Sequence, residues 1–172
     1  MGSIILFSGP VGAGKSTVAQ ELICLSGDAV VYIEGDRFWK FIARNEHRFN
    51  RVQNFKMTMS SMVAAALPYA MGGYEVIVDF TIPPWFLDTV AKIARLRNVP
   101  LDYVVIRPGK DVCAVRAASR EEGKITDYSP LLDFYHTFIE AGKNAICDDE
   151  SDAATIAGQI RNGLDAGIFR VV

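Results

Sequence analysis

The segment Gly9-Pro10-Val11-Gly12-Ala13-Gly14-Lys15-Ser16-Thr17 constrains this chain more than any other. It satisfies G-x-x-x-x-G-K-[ST] and stands between an apolar run, Ile4 to Ser8, and a segment, Ser16 to Ser26, that sets Val18, Leu22 and Leu25 on one helical stripe. Glycines tolerate positive backbone angles and carry no side chain, so successive N–H groups at Gly9, Gly12 and Gly14 can wrap an anion. A helix beginning near Lys15 directs its unpaired N–H groups and positive dipole end at the same point. The pattern predicts a strand, a phosphate cradle and a helix. Lys15 is expected to reach the β- and γ-phosphates of ATP, Ser16 to ligate Mg2+, and Thr17 to lie near the α-phosphate.

Alternating short apolar runs and longer amphipathic segments extend this unit into an α/β chain with a parallel sheet covered on both faces. Ile4 to Ser8, Val30 to Glu34, Glu75 to Asp79 and Leu101 to Arg107 are the expected buried strands; Asn144 to Cys147 and Ile168 to Val172 are expected to add short ones. A long helix should carry Val52, Phe55, Met59, Met62, Val63 and Ala66 inward. Others are expected over Phe38 to Ala43, Trp85 to Arg97, Leu131 to Glu140 and Ala153 to Asn162, with Ser129-Pro130 and Ser151-Asp152 as start signals. No repeat or long linker divides the 172 residues, which predicts one domain over 1–172.

Charge is nearly balanced, 18 basic against 20 acidic residues, so no broad nucleic-acid-binding face is expected and any basic site is local. The three cysteines, Cys24, Cys113 and Cys147, are widely spaced and predict reduced thiols in a cytoplasmic core. No secretory leader and no apolar stretch of about 18–20 residues is visible, so neither export nor a membrane span is expected. Either a monomer or a homodimer fits this composition.

Chemistry beyond the loop centres on two carboxylates. Asp79 closes the apolar strand Glu75-Val76-Ile77-Val78, a position from which a carboxylate can orient the shell of a bound magnesium ion. Phe80 follows it where water-activating ATPases carry a glutamate, which tilts the reading from hydrolysis toward transfer. Asp36, after the strand ending Tyr32-Ile33-Glu34-Gly35, can accept the proton of an attacking hydroxyl; the competing reading makes it the cap of a helix over Phe38 to Ala43. Arg37, Arg44 and Arg48 are substrate-side candidates. With Lys40, His47 and Arg51, interleaved with Trp39, Phe41 and Phe49, they would suit a phosphate, carboxylate or planar group on the acceptor.

Arg116 and Arg120 stand one helical turn apart, with Lys124 four residues further on beyond Gly123. Like charges at that spacing repel unless they face a common anion, so the 116–128 segment is expected to act as a lid whose arginines stabilise the transferred phosphoryl group.

These features together resemble the small P-loop kinases related to gluconate kinase, adenylylsulfate kinase, chloramphenicol phosphotransferase and zeta toxin. The resemblance rests on Gly9 to Thr17, Tyr32 to Asp36, the strand ending at Asp79, the exit Val104-Val105-Ile106-Arg107-Pro108, and Arg116 with Arg120. It implies a three-layer P-loop NTPase fold whose five parallel strands run in the order 2-3-1-4-5, with ATP as donor, Mg2+, and a small hydroxyl acceptor. Lys15 and Ser16 would serve the nucleotide, Asp36 the acceptor, Asp79 the metal, and Arg116 and Arg120 the lid. The stretch from Arg37 to Arg51 reproduces neither the gluconate nor the adenylylsulfate acceptor signature. A kinase of a polynucleotide 5′-hydroxyl and a nucleotide-dependent switch without small-molecule transfer are the two alternative readings.

Overall fold

A computed structural model describes residues 2–44, 50–121 and 123–172. Five strands, β1 (Ser3–Ser8), β2 (Val30–Glu34), β3 (Glu75–Asp79), β4 (Leu101–Ile106) and β5 (Ala145–Ile146), form a parallel sheet ordered β2-β3-β1-β4-β5. Seven α-helices are found among the described residues: α1 (Lys15–Cys24), α2 (Gly35–Lys40), α3 (Arg51–Met71), α4 (Leu87–Arg97), α5 (Lys110–Ala118), α6 (Leu132–Thr137) and α7 (Ala153–Asp165). The strand order and the three-layer α/β architecture are those expected.

Strand periodicity assigns the two layers. Ile4 and Leu6 of β1 join Val76, Val78, Tyr103 and Val105 in a core under α3 and α4. Ile5 and Phe7 join Ile77, Val104 and Ile106 in a second core under α1, α5 and α7. Adjacent side chains on a strand point to opposite faces, so a fully apolar strand needs cover on both. Ile4, Ile5, Leu6 and Phe7 are each at most 1% exposed, and burying a side chain of this size contributes about 1.5–3 kcal/mol.

Local signals place the helix ends. Asn50 accepts from the Gln53 N–H while the Gln53 side chain accepts from the Asn50 N–H, a reciprocal cap that starts α3. Asp152 caps α7 through the Thr155 N–H, and α4 ends at Asn98 in the left-handed conformation ahead of Pro100.

Four expectations are corrected. The tail from Ile168 to Val172 is not a strand: β5 covers only Val105 and Ile106 on the outer edge of β4, and the tail crosses the other half in an antiparallel Asp102–Arg170 bridge. There the Arg170 guanidinium neutralises the buried Asp102 at 2.9 Å. Helix α2 starts at Gly35, so Asp36 lies inside its first turn and does not cap it. Val52, expected in the core stripe, is 59% exposed, because the first turn of α3 borders an open cleft. Of the cysteines only Cys113 is buried, Cys24 and Cys147 being exposed.

Candidate active site

The carboxyl ends of β1, β2 and β3 open onto one cleft of ≈ 490 Å³, the place where parallel α/β sheets bind ligands. Its floor is the loop from Gly9 to Gly14. Gly12 has φ +83°, and a Cβ there would run into the Cys113 backbone carbonyl, so α5 packs against the loop only because this position is bare. Gly14, at φ +85°, turns the chain into α1. Lys15, Ser16 and Thr17 line the cleft with Val11, Gly12 and Gly14. Gly9, Pro10 and Ala13 contribute backbone: the Lys15 ammonium donates to the Gly9 and Pro10 carbonyls at 3.1 and 3.0 Å, and Arg116 donates to the Ala13 carbonyl at 3.4 Å.

Burial lowers the pKa of Lys15, and nearby Arg120 lowers it further, while Asp79 and Asp36 act in the opposite direction. Lys15 thus sits amid two carboxylates that favour its charge and a desolvating loop that opposes it. Cys113, beneath the loop, is pushed up to about 11 by burial, so it remains a neutral thiol and a packing group.

Asp79 is 4% exposed and forms the polar node of the cleft. Its Oδ2 accepts from the Ser16 hydroxyl at 2.8 Å and from the Tyr32 hydroxyl at 2.7 Å. Burial and the adjacent Asp79 charge raise the Tyr32 phenol well above its ordinary value, which keeps it protonated and a donor. In the sequence Tyr32 stands out only as part of a strand and of the Tyr32 to Asp36 motif, with no role of its own. The partial signal was register: Tyr32 pairs with Ile77, two residues before Asp79, on the neighbouring strand.

The exit of β3 is held by a buried clasp. Ser8 donates to the Ile82 carbonyl at 2.6 Å and accepts from the Ile82 N–H at 2.8 Å, and Tyr103 donates to the same carbonyl at 2.7 Å. This fixes Phe80 and Thr81 at the mouth of the cleft, of which the sequence had marked only Phe80, and that as the residue standing in place of a glutamate.

On the acceptor side the structure separates the predicted cations. Asp36 and Glu34 line the cleft, whereas Arg37, 79% exposed at its side chain, pairs with Glu34 at 2.6 Å and lines neither cleft. Arg44 is exposed and lines neither cleft. Arg48 and His47 lie outside the described residues. Arg116 and Arg120 both line the phosphate cleft, and among the described residues neither pairs with a carboxylate. Helix α5 ends at Ala118, so Arg120 projects from the following loop and not from the same helix edge. Tyr128 anchors the far end of that loop by donating to the Val11 carbonyl at 2.7 Å.

A second cleft of ≈ 410 Å³ adjoins the first and shares Val11, Asp36, Phe80 and Thr81 with it. Trp39 and Arg51, two of the interleaved residues noted above, line it with Val52, Phe55, Leu131 and Phe134.

Comparisons with known proteins agree with this architecture. A family model described as AAA domain matches residues 4–148. No curated protein sequence matches. Among solved structures, the Deinococcus radiodurans tunicamycin resistance protein superposes with a TM-score of 0.72 at 16% identity, covering 100% of this chain and 99% of that one. Mycobacterium tuberculosis APS kinase, solved with AMPPNP and APS, gives 0.64 at 15%, covering 95% and 97%. A gluconokinase from Sinorhizobium meliloti gives 0.64 at 20%, covering 96% and 92%. At such identities the likeness is one of fold.

Proposed function

From a chain that belongs to the AAA domain family, with its phosphate loop opening beside a second cleft, we propose an ATP-dependent kinase that transfers the γ-phosphoryl group to a hydroxyl of a small-molecule acceptor. One observation carries the reading: Asp36 lies on the boundary of both clefts, so a hydroxyl arriving through the second meets a carboxylate beside the end of a triphosphate held in the first. A switch or a simple hydrolase has no need of that shared wall.

The chemistry follows from the side chains. The loop amides and Lys15 hold the phosphates. The acceptor oxygen forms a bond to the γ-phosphorus as its proton passes to Asp36. The bond to the β,γ-bridging oxygen breaks, and ADP leaves with the electron pair. Lys15, Arg116 and Arg120 face the negative charge on the transferred group. Similarity of fold to an APS kinase and a gluconokinase supports this reading.

Ser16 and Asp79 would hold Mg2+. Their oxygens are 2.8 Å apart, and a carboxylate with a hydroxyl is the hard-oxygen donor set that suits this cation. When bound, such an ion neutralises phosphate charge. We further assign 116–128 as a lid, with Gly123 at φ +64° as its hinge and the Tyr128 anchor as its fixed end. No helix among the described residues is long and apolar enough to cross a membrane.

The test is ADP release from ATP across sugars, nucleosides, antibiotics and short oligonucleotides. Release stimulated by a small hydroxylated compound is expected. Nucleotide binding with no stimulation by any acceptor would instead support a switch, and stimulation only by oligonucleotides would move the activity to nucleic-acid ends.

A further inference from the structure

The second cleft differs in chemistry from the first. Its wall is an aromatic cluster drawn from three parts of the chain: Phe55 of α3 packs on Phe80 at 5.5 Å between ring centroids and edge-on against Phe134 of α6 at 5.9 Å. Phe134 in turn rests on the fully buried Phe138, so the wall is tied to the core and presents a fixed shape. Trp39 adds an indole from α2. Charged groups are few. Among the described residues only Asp36 and Arg51 bring charge to this cleft, and Arg51 forms no ion pair there.

We infer that this cleft takes a phosphoryl acceptor with an aromatic body, one hydroxyl directed at Asp36 and one anionic group directed at Arg51, in preference to a polyol. The inference rests on the kinase reading for the word acceptor, but its binding chemistry does not. A polyol entering here would lose water from several hydroxyls against ring faces that offer no hydrogen bonds, whereas an aromatic body meets rings at favourable edge and offset contacts. A cleft of ≈ 410 Å³ matches a compact ligand of this kind. Continuity with the phosphate cleft through Asp36, Phe80 and Thr81 supplies the route by which the hydroxyl reaches the phosphoryl group.

The test uses tryptophan emission. The chain holds two tryptophans, and Trp85 is 46% exposed outside both clefts, so Trp85→Phe leaves Trp39 as the only indole and reports on the cleft. Titration of this variant with 3-phenyllactate and with gluconate compares two hydroxy acids that share a carboxylate and differ in body. The expected result is a dissociation constant at least tenfold lower for 3-phenyllactate. Adding Arg51→Gln should abolish the preference for 3-phenyllactate over neutral 3-phenylpropane-1,2-diol. Val52→Asp, at a 59% exposed position whose change leaves the fold intact, should weaken 3-phenyllactate at least tenfold without altering ATP affinity. Equal or tighter binding of gluconate overturns the assignment. Tight 3-phenyllactate binding with no ADP release from any aromatic hydroxyl compound would count against the kinase reading and leave the cleft's ligand class standing.

Discussion

The hydroxyls of Tyr32 and Ser16 donate to the same oxygen of Asp79, at 2.7 and 2.8 Å, and so join β2, α1 and β3 at a single atom beneath the phosphate loop. An acceptor carrying two donors is held in one orientation. Under the proposed assignment Ser16 would serve the metal, and Tyr32 is then the group that keeps the carboxylate aimed.

Tyr32→Phe tests that positioning role. Removing one donor while keeping the ring should raise the Mg2+ concentration for half-maximal turnover roughly tenfold, in the range found for partners that orient metal ligands. Thermal stability should change by less than that expected for about 1.5 kcal/mol, the usual worth of one hydrogen bond. An unchanged Mg2+ dependence would remove Tyr32 from the mechanism.

Lys15→Ala should abolish productive use of ATP and leave the protein folded. Relief of the desolvation of its ammonium and loss of its hydrogen bonds to the Gly9 and Pro10 carbonyls act in opposite directions, so the melting temperature should shift by only roughly a few degrees. Turnover near the parent rate would refute the loop assignment.

For Asp36→Asn, transfer should fall about 10²–10⁴-fold, the usual contribution of a general base, with nucleotide affinity within a few-fold of the parent. Because Asp36 lies inside the first turn of α2 and caps nothing, little stability is at stake. Parallel loss of binding and transfer would indicate a role in holding nucleotide.

Glu75 provides a pH prediction away from the cleft. Burial raises its carboxyl, but hydrogen bonds from Arg161 and Ser26 together with the Arg161 charge outweigh this and hold it below its ordinary value. A depressed carboxyl contributes stability that is present above the unfolded value near 4.5 and is lost as pH falls through the lower folded value. Glu75→Gln should therefore cost about 1–2 kcal/mol at pH 7, or roughly 2–8 °C in melting temperature. The gap between variant and parent should close below about pH 4.5. A gap that persists undiminished at pH 3 would assign the loss to packing.

Tyr128→Phe removes the hydroxyl that ties the 116–128 segment to Val11. The buried ring stays, so stability should drop by only about 1 kcal/mol. If this segment is the lid, ATP consumption without acceptor should rise, read as basal ADP release, because a looser lid admits water. Basal release that is unaltered would separate Tyr128 from lid closure.

Much of this was legible along the chain because its signals are local. The motif from Gly9 to Thr17 dictates its own backbone, and the apolar runs of β1, β3 and β4 require helices on both faces, from which the layered sheet follows. Asp79 could be read from its place at a strand end. The rest depends on residues far apart in sequence. Tyr32 meets Asp79 only through the β2–β3 register. The aromatic wall unites Trp39, Phe55, Phe80 and Phe134 from four separate segments, and no spacing rule links them. Arg37 and Arg44 were equivalent cations in the sequence, yet both stay exposed outside the clefts, one paired at the rim with Glu34 and the other carried onto the surface by the path of the chain. Backbone demands are written in neighbouring residues, so the sequence alone determined the anion cradle; which side chains share a cavity depends on how helices pack across the sheet, and only the tertiary structure decided that.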